Sequence, residues 1–474
     1  MQTLKQNSLV LSLSILYVAL CAYLLWNDQA ILSLASIGLL AVFFAIYYTE
    51  YTFLAIGFLT PLSVNIEEYI EGFGLYVPTE PLLFGLMILL LFQQLRKNQI
   101  DKNVWKSPII WAVSFYLFWV LVTSIASTEP VTSFKFLLAK LWFIVPLLFF
   151  GTRIFSKTRN IKAFIWLFCL GMSIATIYTL IIHASYGFGE KEGHWVMWPF
   201  FKDHTIYGST IAFSTPLIFG LYFSKKHSPL IKSVVLILIF VLLLGLYFSY
   251  TRAAWLSVFA SLLVLVVIKL RIKFTILATI GILVISTIYF SWDSIQMELE
   301  RNKTEHTGEK LQSATNVTTD ASNLERLNRW SCAIEMFQEK PVFGFGPGTY
   351  AFEYARFQRP ENLTIISTNF GDAGNAHSEY LGPLAEMGLM GMIAMLLIVF
   401  AIFYKGINLY NKWPESDTEI RVLLLAMILA LVTYFVHGIL NNYLDTDKAA
   451  VPIWTFCAIF IALEIKLKQE QNKS

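Results

Sequence analysis

Apolar stretches recur along the chain at lengths suited to crossing a bilayer. They fall near 8–26, 30–48, 52–65, 79–95, 108–126, 132–151, 161–184, 206–224, 229–248, 254–270, 273–291, 380–404, 420–438 and 449–466. A helix needs about 20 predominantly apolar residues to span hydrocarbon. The pattern therefore predicts an all-α, polytopic transmembrane protein of about 12–14 spans. Only Thr49-Glu50-Tyr51 parts the second run from the third, which leaves the count over 30–65 open. The first run follows Lys5, is too long for a signal-peptide core, and has no small-residue cleavage site after it, so it reads as a span.

One polar segment interrupts this pattern, from about residue 291 to residue 377. Its stretch 299–323 is rich in Glu, Asn, Thr and Ser and reads as flexible. Ser322 and Glu325 then have capping-box spacing. Leu327, Trp330, Ile334 and Phe337 recur at helical spacing, which predicts an amphipathic helix lying against the membrane domain by that face. Pro341 stops it, and Gly344, Gly346 and Gly348 make the turn that follows. The chain divides accordingly into transmembrane helices over 1–205, further ones over 206–291, a large loop with short amphipathic helices over 292–378, and C-terminal transmembrane helices over 379–474. No internal repeat is visible.

Composition agrees with the pattern. Of 474 residues, 56% are hydrophobic and 14% charged, and the mean hydropathy is +0.61; soluble domains carry roughly a quarter charged residues. The net charge of +3 says little, but its distribution sets an orientation. Alternate connections hold Arg96, Lys97, Lys102 and Lys106; Arg153, Lys157, Arg159 and Lys162; Lys225, Lys226 and Lys232; Lys269, Arg271 and Lys273; and Lys405, Lys412 and Arg421, with Lys466, Lys468 and Lys473 in the tail. The short opposite connections, around Glu67, Glu68, Glu71 and Glu129, are acidic. By the positive-inside rule both termini are cytoplasmic and the long loop faces outward. Three of the four cysteines lie in apolar runs, and Cys332 stands alone in a polar region, so no disulfide framework or zinc spacing is present.

Inner-face bases have a topological explanation, so chemistry is sought among outer-face and intramembrane groups. Arg252, in Tyr250-Thr251-Arg252, sits at a tight outer turn against the charge bias, where it could act or merely snorkel to head groups. Arg326 flanks the apolar face of the loop helix and is expected near the docking seam, whereas Arg329 is expected to point toward solvent. His377 precedes the span near 380, where helix N–H groups attract phosphate and disfavour imidazolium. A neutral imidazole suits a general base, although a lone interfacial histidine can also be a simple cap. Lys202 and His204 could extend an anion site or be solvated loop groups. Lys135 and Lys140 lie inside a run and need a partner or a wet cavity; His437 is a weaker candidate. Asp445-Thr446-Asp447 has the spacing of metal-dependent glycosyltransferases, but Asp and Thr are also favoured helix caps. No Walker A pattern or dinucleotide-binding glycine motif occurs, which argues against ATP-driven transport. Several outer-face cationic or proton-accepting groups without a nucleophile–base pair suit a lipid phosphate or pyrophosphate.

The segments Glu325-Arg326 to Trp330, Pro341 to Gly348, Ala376-His377-Ser378-Glu379-Tyr380-Leu381 and Glu386-Met387-Gly388-Leu389-Met390-Gly391, with Tyr250-Thr251-Arg252 as the outer turn, together resemble the O-antigen ligase and polymerase superfamily. The likeness covers roughly 206–465; before that only hydropathy is shared. The resemblance implies a metal-independent, inverting transferase without a cofactor, using an undecaprenyl-pyrophosphate-linked glycan as donor in the cell inner membrane, with its active face periplasmic. It implies that Arg252 and Arg326 contact the donor pyrophosphate, with Lys202 and His204 beside them, and that His377 activates the acceptor hydroxyl. Tyr250, Asn375, Ser378, Glu379 and Tyr380 are candidate acceptor or loop contacts. Family members commonly have Asn after the histidine, where this chain has Ser378. The acceptor could be lipid A core, another glycan or a protein hydroxyl; nucleic acid is not expected. The rival reading is a lipid-linked oligosaccharide flippase or other polysaccharide transporter. Transporters more often show repeated halves and ionisable groups at the midplane; here Lys135 and Lys140 are the features favouring it.

Overall fold

The structure is a computed structural model that describes residues 16–24, 26–27, 30–67, 74–96, 100–224, 228–272, 274–291, 317–359 and 374–472. Glu68, Glu71, Lys97, Lys225, Lys226, Lys273, Lys473 and most of the polar stretch 299–323 lie outside the described residues. The chain is an all-α, polytopic membrane protein. Its helices are α1 (Ala30–Tyr47), α2 (Thr49–Leu59), α3 (Thr79–Arg96), α4 (Pro108–Ile125), α5 (Pro130–Ile154), α6 (Thr158–Ser185), α7 (His204–Phe223), α8 (Pro229–Tyr247), α9 (Arg252–Lys269) and α10 (Phe274–Phe290). The loop contributes α11 (Val317–Glu339) and α12 (Tyr350–Glu353), and the chain closes with α13 (Leu381–Lys412), α14 (Thr418–His437) and α15 (Asp447–Gln471). Two short antiparallel strands, β1 (Val64–Asn65) and β2 (Tyr76–Val77), pair Val64 with Val77.

Among the described residues, nine helices are long and apolar enough to cross a membrane: α4 to α9 and α13 to α15. The expected runs over 30–65 resolve into α1 and α2, which break at Tyr48 (φ −128°, ψ 42°), and α2 has only 11 residues before a 3-10 turn at Thr60–Leu62. In the loop, one helix is long rather than short: α11 has 23 residues and begins at Val317, so the expected cap at Ser322 falls inside it.

The bundle sorts its helices by environment. α7, α14 and α15 are mostly enclosed, whereas α8 and α9 are mostly exposed. Aromatic rings fill the centre: Phe53 meets Phe155 edge-on at 5.7 Å, and Phe213 stacks on Phe456 at 5.4 Å. Such pairs add about 0.5–1.5 kcal/mol each beyond the burial of their area.

Connections gather at two ends. At one, the bases that the charge pattern groups together find acidic partners, with Lys157–Glu50 at 2.6 Å, Lys162–Glu419 at 2.6 Å and Lys405–Glu464 at 2.8 Å. At the other, the long loop packs on the membrane helices and forms the candidate site.

The loop helix docks by a face other than the one its apolar spacing suggests. Glu325, Asn328, Arg329, Cys332, Ala333 and Met336 are buried, while Ile334 is 44% exposed. Arg329, expected toward solvent, is 4% exposed. Its Nε donates to Glu325 Oε1 at 2.8 Å and its guanidinium lies 4.6 Å from the Tyr354 ring centre. Self-neutralisation of the Glu325–Arg329 pair, with small Cys332 and Ala333 between, lets this stripe pack against Phe345, Tyr350 and Tyr354. Cys332 is thus a core residue, and burial raises its thiol to about 12.

Candidate functional site

The site begins with a backbone interlock between the glycine turn after α11 and a kink in α13. Gly346 N donates to Glu386 O at 2.8 Å and Leu389 N donates to Pro341 O at 3.0 Å. Gly388 breaks the helix with φ 67° and ψ −167°, and the Met387 carbonyl instead accepts from Trp119 Nε1 at 2.8 Å. Gly344 also has a positive φ, 67°, and a Cβ there would collide with the Glu386 backbone. Glu386 Oε1 accepts from Tyr350 N at 3.0 Å, so the carboxylate holds α12 to α13. The loop is thereby fixed over the start of α13, where His377 lies.

His377 adopts the left-handed region with φ 47°, as Tyr250 does with φ 50°. Such conformations are uncommon for residues with a Cβ and tend to collect at functional sites. Three contacts hold the His377 backbone and ring. Its N–H donates to Asn375 Oδ1 at 3.0 Å, its carbonyl accepts from Trp330 Nε1 at 3.4 Å, and the Asn441 side chain hydrogen-bonds its imidazole. Burial, then the charges of Arg329 and Arg326, hold the imidazole down to about 4, against the bond to Asn441. The neutral ring expected from a helix terminus thus arises from burial and two arginines. Ser378, where the family commonly has Asn, caps α13: its Oγ accepts from Tyr380 N at 3.3 Å and Leu381 N at 3.4 Å.

Arg326 faces a cluster contributed by separate elements. Its charge acts on His377, His204 and His437, and Asp203 and Tyr443 act on it in turn. Burial lowers the guanidinium from its ordinary value. Asp203 caps α7, accepting from Thr205 N at 2.8 Å and Ile206 N at 3.0 Å. His204 begins α7 and stacks on His194 with ring centres 4.2 Å apart. The turn before α9 joins this group through its backbone and hydroxyl: Thr251 Oγ1 donates to His204 O at 2.8 Å. Tyr250 Oη donates to Phe188 O at 2.9 Å, and Arg252 is exposed on the first residue of α9.

A cavity of about 500 Å³ opens beside the cluster. Lys202, Asn375, Ser378 and Glu379 line it, as do Asp203, Tyr350, Glu386, Asn442 and Asp445. Glu379 is buried, and its carboxylate accepts from Tyr443 N at 2.7 Å, Leu444 N at 2.8 Å and the Tyr434 hydroxyl. Burial and the Asp445 charge push its carboxyl up from the ordinary range. Tyr380 Oη donates to Phe435 O at 2.9 Å. Lys140 is 3% exposed at the cavity wall and pairs with Asp445, the partner an intramembrane lysine needs, whereas Lys135 is exposed. The two carboxylates of Asp445-Thr446-Asp447 face different partners, Lys140 for the first and Ser63 for the second.

The structure therefore brings Lys202, Asn375, Ser378 and Glu379 to the cavity wall, and sets Arg326 within electrostatic reach of His377 and His204, which do not line it; Arg252 is joined to His204 through its turn. His194, Asn441 and Tyr443 belong to the same array and escaped sequence reasoning. The signal for the last two was the polar run Asn441-Asn442-Tyr443 directly after a span; for His194 there was none.

The described residues thus form a helical membrane bundle that encloses a polar site at one end. Residues 234–396 match the family model described as O-Antigen ligase. That match, over about a third of the chain, supports the likeness to the O-antigen ligase and polymerase superfamily, and the matched stretch holds Arg252, Arg326 and His377. An uncharacterized protein of Haemophilus influenzae is 24% identical to this chain over 139 residues, which cover 29% of this chain and 33% of that protein. The match thus spans about a third of that relative's length.

Proposed function

We propose that the protein transfers a glycan from undecaprenyl pyrophosphate to an acceptor hydroxyl at the periplasmic face of the inner membrane, with both termini cytoplasmic. The observation that carries this reading is the juxtaposition of a neutral, half-buried His377 with Arg326 beside a polar cavity. The acceptor oxygen attacks the anomeric carbon from the face opposite the leaving group, and its proton passes to the His377 ring. The carbon–oxygen bond to the diphosphate breaks, its electron pair stays on the diphosphate oxygen, and Arg326 and Arg252 offset that charge. Arginine suits this task because it stays protonated and grips phosphate with two donors. Lys202 and His204 extend the anion site. The acceptor enters the cavity lined by Asn375, Ser378 and Glu379.

The test is transfer in liposomes from an undecaprenyl-pyrophosphate glycan to lipid A core, glycan and peptide acceptors, for wild type and His377→Ala, each with and without chelator. Chelator-resistant transfer that vanishes in the variant is the expected result. Full activity in the variant removes His377 as the base. Movement of the lipid-linked glycan between leaflets without transfer to any acceptor would make the protein a transporter instead.

A further inference from the structure

At the end of the bundle opposite the candidate site, two grooves of about 450 and 730 Å³ meet, sharing Gln93, Phe150, Arg153 and Ser156. Both volumes fall within the roughly 300–1,000 Å³ typical of small-molecule sites. We infer that this junction holds the head group of an anionic glycerophospholipid.

The chemistry of the lining supports that occupant. Arg153, in the last turn of α5, and Lys466, near the end of α15, bring cations from two helices to the first groove. Their position alone follows from topology and helix dipoles; their place in a cleft with side-chain amides does not. Gln93 and Gln94 supply donors suited to phosphate oxygens and glycerol hydroxyls. Asp101 and Glu470 also line this groove. Asp101 Oδ1 accepts from Asn103 N at 2.9 Å. In the second groove Glu50 is already engaged, by Lys157 at 2.6 Å, Arg159 at 3.6 Å and Asn160 Nδ2 at 3.1 Å, so its charge is offset.

The rim argues for a lipid rather than a free phosphate. Tyr47 and Tyr51, on the second groove, are 70% and 66% exposed. Trp105 is exposed too, packed on Phe149 at 5.4 Å. Amphipathic rings of this kind gather at head-group depth. Leu91, Phe92 and Leu95 continue along α3 beside Gln93 and Gln94, all exposed, and provide an apolar track for acyl chains. The bases Arg153, Lys157 and Lys466 line the two grooves together with the acids Glu50, Asp101 and Glu470, and clefts between transmembrane helices at the basic end of a bundle are a recurrent setting for anionic lipid head groups.

The test uses the full chain, purified and reconstituted in nanodiscs of zwitterionic lipid with increasing phosphatidylglycerol or cardiolipin. Lipid retained on release is counted by native mass spectrometry. Wild type should keep anionic lipid in preference to zwitterionic lipid, and an excess of inorganic phosphate should leave that lipid in place. Arg153→Gln and Lys466→Gln should each weaken retention roughly fivefold, Arg153→Lys should largely preserve it, and Arg421→Gln, at the same end but outside the grooves, should leave it unchanged. Equal retention by wild type and a variant carrying both Arg153→Gln and Lys466→Gln, no preference for anionic lipid, or displacement by inorganic phosphate would each overturn the inference. These outcomes do not depend on glycan transfer, so the inference can fail while the proposed function stands.

Discussion

Thr251 Oγ1 donates to the carbonyl oxygen of His204 at 2.8 Å, tying the turn that carries Arg252 to the first residue of α7. His204 in turn lies within reach of the Arg326 charge, and Arg326 within reach of His377. One hydroxyl thus connects the exposed arginine of α9 to the buried half of the array. Thr251→Val should lower donor use about fivefold, the scale of one lost hydrogen bond of about 1 kcal/mol. Thr251→Ser should restore it. Steady-state kinetics at varied donor concentration will show whether the loss appears in donor KM, as expected, or in acceptor KM, which would dissociate the turn from the donor.

On the proposed mechanism, removal of the charge assigned to the leaving group should cost far more. Arg326→Gln is expected to reduce kcat about 10²-fold, the scale seen when one transition-state donor is removed. Arg252→Ala should act in the same direction. Comparable rates for wild type and Arg326→Gln in the liposome assay would remove Arg326 from the reaction.

The pH profile offers a separate check on His377. Its imidazole is held down to about 4, so the base stays deprotonated throughout the neutral range and the acid limb of kcat/KM should lie near pH 4. Arg326 is one cause of that depression, so Arg326→Gln should move the limb upward; burial and Arg329 keep it below the ordinary histidine value. Asn441→Ala should move the limb down, because the bond to Asn441 favours the protonated ring. The linked effect on stability has a definite sign. The folded state binds fewer protons than the unfolded chain at His377, so this contribution is complete above the ordinary imidazole value. It is lost as pH falls toward about 4. A limb that stays put in both variants would detach these neighbours from the base.

Arg329 should behave unlike Arg326. Both members of the Glu325–Arg329 pair have side chains 5% exposed, and removing one leaves the other charged and buried. Arg329→Ala should destabilise the loop by about 3–5 kcal/mol, while replacing both residues with Met and Leu should cost much less. Thermal unfolding with scattering will report this, and specific activity per folded molecule should remain within a few-fold of wild type for the double variant.

Gly388→Ala tests the interlock. The added Cβ would enter the left-handed region and meet the carbonyls of Pro341 and Val342. About 1–3 kcal/mol of strain is expected, enough to loosen the loop. Limited proteolysis between α11 and α13 should accelerate in the variant, with transfer falling alongside. Unchanged protection would mean that α11 docks independently of the kink.

The sequence by itself determined the helical membrane class, the long loop after α10, the grouping of basic connections at one end, and the elements that carry Arg252, Arg326 and His377. Those features follow from run length, charge sign and local motif, all written in adjacent residues. Only the tertiary structure decided which face of α11 is buried. Apolar spacing pointed to Leu327, Trp330, Ile334 and Phe337, but an ion pair that neutralises itself and two small residues pack closer than bulky side chains can. The partner of Lys140, the role of Asn441 and the stacking of His194 on His204 were likewise invisible in the sequence. Each joins residues from distant parts of the chain, and no local pattern encodes a contact whose two halves are brought together only by helix packing.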